Sequence, residues 1–380
     1  MGPIIPKRIA IDCRYLSSRP SGIGEMVRAL ADHLPGLAPD MEFLLLRHPD
    51  RPARTRSAQN VREVVVPASP NGPATLWWLP RVVDLSGVDL FHATANILPA
   101  GLPMPTVTTV HDIMWLTAPR LCNPRLYGLI ERAFYGHGMR RALRRSSAIV
   151  TVSEATRNAI AEFDPEAAHK VRVALSGVSE TFRAVTVEPR QLVRLGLNPA
   201  RRFVLVVGQS APYKNHEGAL RGFHAGLGGD EDVDLVFVQR RGPGAARLLA
   251  LADELGLMGR VQVFGAVAPD ELVMLYSAAA ALLHPSLCEG FGNPLAEAMA
   301  CGCPVVTSDR SAMPEVTGEA ALHVDPNDPR AIGEALCKVL YDPTCAKRLR
   351  ERGLIRGAEL DWRRFALHNL VVYREVLGLG

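Results

Sequence analysis

Short, unbroken apolar runs recur along this chain at the spacing of strand, crossover helix and next strand. In the first half they occupy residues 9–12, 43–46, 64–66, 90–94, 106–110 and 148–152. In the second half they occupy residues 203–207, 235–238, 261–264, 281–284 and 304–307. Most are continuous rather than alternating, which predicts strands covered on both faces. Strands of that kind belong to parallel sheets, because a parallel connection needs a crossover that lays a helix on the sheet. The expected fold class is therefore α/β, with doubly wound sheets.

A chain of 380 residues is long for one core, so two domains are expected. Residues 183–202 are charged, poor in aromatics and carry Pro189 and Pro199, as a linker would. The expected division is a first domain over 1–185 and a second over 186–361. A tail, 362–380, has apolar residues at helical spacing. Ligands of open α/β sheets bind beyond the carboxyl ends of the strands, so two such domains facing one another would form a binding cleft there. The net charge of +4 is spread, with acids interleaved among the arginines, and no nucleic-acid partner is expected. No apolar run approaches the roughly 18 residues of a spanning helix. Residues 1–8 lack the apolar core and cleavage site of a signal peptide. The seven cysteines, at 13, 122, 288, 301, 303, 337 and 345, show no metal-ligand spacing and read as reduced thiols of a cytoplasmic enzyme.

Chemistry concentrates in residues 285–306. Two carboxylates, Glu289 and Glu297, bracket a turn in which Gly290 and Gly292 flank Phe291. Both glycines are expected to permit positive φ and close approach of a ligand. Asn293 reads as the N-cap and Pro294 as the first residue of a short helix that Gly302 ends. The start of such a helix presents free N–H groups and favours phosphate. The pattern suits a phosphorylated, hydroxyl-rich ligand such as a nucleotide sugar. A plain strand-turn-helix corner, with Glu297 solvated, is the alternative.

Other positions carry weaker signals. Lys214-Asn215 follows the run 203–207, where a lysine either neutralises a diphosphate or stays an ordinary exposed side chain. His111-Asp112 follows the run 106–110; the histidine could bind, serve as acid or base, or pack, with Asp112 able to orient it. Gly22-Ile23-Gly24 opens a helix over 25–34, but Val27 stands where a dinucleotide fingerprint needs its third glycine. Asp232-Val233-Asp234 spells a metal-binding DxD, yet it precedes a strand rather than following one. It therefore reads as a solvated turn, and no metal is expected. Arg132, Arg140, Arg141, Arg144 and Arg145 share one helical segment, which is either a solvated face or an attraction for anionic lipid.

The signature Glu289-Gly290-Phe291-Gly292, with Glu297 five residues further on, resembles the nucleotide-binding motif of the retaining glycosyltransferases of family 4. Members have the GT-B fold, two Rossmann-like doubly wound domains facing across a cleft, and a terminal helix that crosses back to the first domain. The resemblance implies that Glu289 faces the donor sugar and that Glu297 accepts hydrogen bonds from ribose hydroxyls. It places Gly290, Phe291, Gly292 and Asn293 against sugar and phosphate. Lys214 would clamp the diphosphate. Gln209 stands where many members carry an arginine, so the clamp holds one cation fewer. Gly22 and Gly24 would approach the donor phosphates, and His111 would orient the donor or stabilise an oxocarbenium-like state. Ser153-Glu154 resembles a Ser-Glu pair at the family's cleft, although Ser153 explains itself equally well as a helix cap. The implied reaction moves a mannose- or glucose-type hexosyl group from a GDP or UDP sugar to a hydroxyl acceptor, with retention. It uses no metal and no resident cofactor. Residues 11–14, 22–24 and 110–112 resemble bacterial enzymes of surface polysaccharide synthesis. They imply a glycan or lipid-linked acceptor and a location in the cytoplasm, peripheral to the inner face of an anionic membrane. A GT-B sugar-nucleotide epimerase and a non-catalytic nucleotide-sugar-binding module are the competing readings. A phosphorylase lacks a marker for its pyridoxal phosphate lysine.

Overall fold

A computed structural model describes residues 6–16, 21–50, 58–239 and 242–379. The chain divides into two compact units. One comprises Met1–Pro119, Pro124–Gly177 and Asp361–Gly380, the other Arg120–Asn123 and Val178–Leu360.

The first unit is built on seven strands: β1 (Lys7–Asp12), β2 (Met41–Arg47), β3 (Val61–Val65), β4 (Leu90–Ala93), β5 (Thr106–Val110), β6 (Ala148–Thr151) and β7 (Val171–Val173). Their order is β3-β2-β1-β4-β5-β6-β7 and every pairing is parallel. The chain begins mid-sheet, winds to one edge, then returns to β4 and winds to the other. Ile9 on β1 lies in register with Phe43 on one side and Leu90 on the other. The order reverses between β1 and β4.

The second unit repeats the scheme with β8 (Arg202–Val207), β9 (Val233–Val238), β10 (Val261–Phe264), β11 (Ala281–His284), β12 (Val305–Ser308) and β13 (Ala321–Val324). Its order is β10-β9-β8-β11-β12-β13, again wholly parallel. Here the order reverses between β8 and β11. The α/β class with two doubly wound parallel sheets is thus the fold of this chain. Unbroken apolar runs produce it because both faces of each central strand are buried, as the fully buried β4, β5, β6, β9, β11 and β12 display. The apolar pattern misses β7 and β13, which are short and carry Arg172 and His323.

One helix pair packs through glycine. The helices His216–Leu227 and Pro329–Tyr341 meet through Gly222, Gly226 and Gly333, and a Cβ on Gly333 would lie 2.6 Å from the backbone nitrogen of Gly226. The closing helix Trp362–Leu377 belongs to the first unit and packs on the helix Gly22–Leu37. Tyr373 on it is fully buried, and its hydroxyl meets His92 Nδ1 on β4 at 2.6 Å.

Two local expectations change. The first helix starts earlier, at Gly22, because Ser21 caps it. Asp234 is no solvated turn residue. It lies within β9, 3% exposed, and pairs with Arg201 at 3.0 Å, while burial raises its pKa. Among the described residues no helix is long and apolar enough to cross a membrane.

Candidate functional site

In the second unit the loops that follow β8, β11 and β12 converge at the point where the strand order reverses. Open α/β sheets leave a crevice at such a point, because neighbouring crossovers depart to opposite faces. The loop after β8 carries Lys214, and the loop after β11 carries Glu289. Lys214 Nζ lies 2.6 Å from Glu289 Oε1, and the two side chains are 11% and 9% exposed. The same oxygen is reached by His284 Nε2 at 3.0 Å and accepts from Ser286 Oγ at 2.8 Å. Burial alone would push the Glu289 carboxyl up. The Lys214 cation and the His284 hydrogen bond outweigh it and hold the group down at about 2. Burial lowers the pKa of His284, against the pull of Glu289, so this imidazole is neutral and donates its Nε2–H to the carboxylate. Lys214, His284 and Ser286 thus all meet this carboxylate at Oε1. The carboxylate is therefore anchored through Oε1.

The surrounding backbone fixes this geometry. Asn215 adopts a left-handed conformation, φ 53°, and its Nδ2 donates to the carbonyls of Pro285 and Pro326 at 3.1 and 2.8 Å. Leu287 N donates to Tyr213 O at 2.7 Å. These bonds tie the Lys214 loop to the Glu289 loop. Ser311, in the loop after β12, donates through its hydroxyl to Glu289 O at 2.7 Å and accepts from Glu289 N at 3.3 Å. The aliphatic stem of Lys214 lies against Gly208, where a Cβ would approach it at 3.3 Å.

The turn between the two acids departs from expectation in two details. Gly292 has φ 94°, as predicted, but Gly290 is not among the positive-φ glycines. Gly292 is also the N-cap, so Asn293 is the first residue of the helix Asn293–Ala300 rather than its cap. Phe291 is a core side chain, 5% exposed, which leaves only its backbone for a ligand. Glu297 sits one turn into the helix and accepts from Tyr276 Oη at 2.8 Å. Burial first, and then Glu297, raise the Tyr276 pKa, so this phenol stays neutral and donates. Gln209 is exposed at the carboxyl end of β8.

In the first unit His111 directly follows β5. Its backbone N–H donates to Asn96 Oδ1 at 2.7 Å, and its Nε2 lies 3.0 Å from Thr94 O. A carbonyl only accepts, so Nε2 carries the proton and Nδ1 is the lone-pair nitrogen. Burial depresses its pKa to about 4, against the pull of the Thr94 carbonyl, and the ring is neutral near pH 7. Asp112 Oδ1 accepts from Met114 N at 2.9 Å. The amide of Gly24 is occupied by Ser21 Oγ at 3.0 Å, and Gly22 is the first helical residue with no positive φ. Ser153 caps the helix Glu154–Phe163 by accepting from Thr156 N.

Sequence reasoning did not single out His284, Ser286, Ser311, Tyr276, Thr94 or Asn96. One signal was present, since His284 and Ser286 border a proline at the end of an apolar run. The other four act from distant segments and leave no local mark.

Known proteins share this architecture. Residues 20–182 match the family model described as Glycosyltransferase Family 4, and residues 188–355 match the one described as Glycosyl transferases group 1. The O-antigen chain mannosyltransferase B of Escherichia coli is 28% identical over 287 residues, 75% of this chain and 74% of that protein. The chain spans less than two fifths of several longer curated relatives that it also matches. Among solved structures, sucrose-phosphate synthase from Thermosynechococcus elongatus superposes with a TM-score of 0.76 at 21% identity, covering 98% of this chain and 100% of that one. HepE of Anabaena in complex with UDP and glucose superposes with a TM-score of 0.68 at 16% identity, covering 97% and 100%. These likenesses show the GT-B fold.

Proposed function

We propose that this chain, which belongs to the family 4-like glycosyltransferases, transfers a mannose-type hexosyl group from a nucleoside diphosphate sugar to a hydroxyl acceptor with retention of configuration. The observation that carries the reading is the Lys214–Glu289 pair at the strand-order reversal of the second unit, with His284 and Ser286 fixing one carboxylate oxygen. A rigid, ionised carboxylate suits a sugar hydroxyl as a hydrogen-bond acceptor. It also favours positive character at the anomeric carbon. Lys214 has further N–H donors to give a diphosphate.

The bond from the anomeric carbon to the diphosphate oxygen breaks, and its electron pair leaves with the diphosphate. Lys214 and the backbone around Gly292 stabilise that charge as it develops. The acceptor oxygen bonds to the anomeric carbon from the leaving-group face, and its proton passes to the departing phosphate. Glu297, held by Tyr276, binds the ribose hydroxyls, with Gln209, Gly290, Phe291 and Asn293 lining the donor. In the first unit His111 is neutral and works as an oriented hydrogen-bonding group. The mannosyltransferase relative supports a mannose-type donor, and the HepE complex supports a nucleoside diphosphate. The acceptor is a glycan or a lipid-linked glycan of surface polysaccharide synthesis, met at the inner face of an anionic membrane.

A thermal-shift panel of GDP and UDP sugars identifies the donor, and transfer is then followed by NMR of the product anomer. Glu289→Gln is expected to lower kcat by about 10²–10³-fold, while Glu297→Gln chiefly raises the donor KM. EDTA should leave turnover unchanged. Near-normal turnover by Glu289→Gln, or an inverted product, would overturn the assignment.

A further inference from the structure

The helix Tyr127–Arg145 buries one side through Gly128, Gly136, Gly138, Met139 and Leu143. Its opposite side is one stripe through 126, 130, 133, 137, 140 and 144, spaced three or four apart. The stripe changes character along its length. At the N-terminal end Leu126 is 88% exposed, with Ile130 at 63% and the adjoining Leu129 at 62%. At the C-terminal end stand the exposed Arg140 and Arg144. The helix carries five arginines against a single acid, Glu131. Beside it, the helix Pro73–Val82 adds Trp77, edge-on to Phe134 at 5.9 Å, and Trp78, 47% exposed, with Arg81 next to them. A helix that faced only water would not leave leucine and isoleucine this bare in adjacent turns.

We propose that this face seats in the interfacial layer of a lipid leaflet that carries anionic headgroups. Leu126, Leu129 and Ile130 enter the acyl boundary. Trp77 and Trp78 lie at headgroup depth, where an amphipathic ring is most stable. Arg140 and Arg144 lie over lipid phosphates, and the cation excess of the helix matches an anionic surface. A second copy of this chain is the poorer occupant, because it would bring two arginine-rich helices together without acids to meet them. The inference deepens the membrane contact proposed above and rests on it, but it does not depend on the chemistry of transfer.

The test is flotation of the full chain with phosphatidylcholine vesicles, with and without phosphatidylglycerol, read together with tryptophan emission. The chain should float with the phosphatidylglycerol vesicles, its emission should shift to the blue, and iodide should quench it less. Leu129→Glu/Ile130→Glu should reduce binding by about tenfold or more, with an unchanged circular dichroism spectrum and unchanged donor hydrolysis in the absence of lipid. Arg140→Glu/Arg144→Glu should also reduce it, by about fivefold or more for each charge removed. Trp77→Phe/Trp78→Phe should abolish most of the blue shift. Equal binding to pure phosphatidylcholine overturns the inference. So does binding that ignores the Leu129→Glu/Ile130→Glu change, or a dimer that this change dissociates without any effect on vesicles. Correct vesicle behaviour in a protein that consumes no sugar donor would leave this inference standing and remove the transferase reading instead.

Discussion

Glu289 shows how a few ångströms decide a residue's chemistry. Buried among apolar atoms it would hold its proton. Beside the Lys214 ammonium and the Nε2–H of His284 it stays ionised down to about 2. A carboxyl whose folded pKa lies below its unfolded value adds stability above the unfolded pKa. That contribution is lost as pH falls from about 4.5 toward about 2. Lys214→Ala removes the counter-charge and leaves an uncompensated buried carboxylate, a change that typically costs about 3–5 kcal/mol. The expected result is a lower melting temperature at pH 7, a Glu289 carboxyl that titrates well above about 2 by NMR, and weaker donor binding. An unmoved Glu289 titration would show that Lys214 is not its partner in solution. Both residues were legible in the sequence as separate positions, each on a loop after a strand. The pair was not, because nothing in the chain's letters states that positions 75 residues apart share one oxygen.

At two places the meeting of elements depends on glycine. Gly292 takes φ 94° so that the turn after Glu289 can enter the helix Asn293–Ala300 directly. The Gly-Phe-Gly spelling announced that turn, but not which glycine would carry the positive φ. Gly226 and Gly333 let the helices His216–Leu227 and Pro329–Tyr341 approach until their backbones touch. Gly333→Ala forces a methyl group into that contact and should destabilise the chain by about 1–3 kcal/mol. Gly229→Ala, where nothing lies within 4 Å, should change stability by no more than about 0.5 kcal/mol. Urea unfolding of the two variants checks the contrast, and equal midpoints would refute it.

Across the described residues burial lowers the pKa of five histidines, His92, His111, His216, His284 and His323. His92 is depressed to about 3, and His111 and His216 to about 4. Each binds a proton in the unfolded chain at pH values where the folded chain refuses it. Their stabilisation is full above the unfolded pKa of about 6.5 and is lost as pH falls from there toward about 4. The melting temperature should therefore start to drop below pH 6.5, before the Glu289 carboxyl titrates. His92→Gln, which keeps a polar group for Tyr373 or Thr109, should flatten that first decline. A melting temperature constant from pH 7 to pH 5 would contradict this account.

The α/β class, the central strands of both sheets and the acidic pair on a glycine turn followed from the sequence by itself. Each depends on local order: an unbroken apolar run demands cover on both faces, and a glycine turn before a short helix exposes backbone amides. Tertiary structure alone decided what surrounds those residues. It brought His284, Ser286, Lys214 and Ser311 onto one carboxylate, set Thr94 and Asn96 around His111, and left Leu126, Leu129 and Ile130 facing outward. Proximity across a parallel sheet is fixed by strand order, and strand order depends on which crossovers pack together, a property of the assembled core rather than of any one segment.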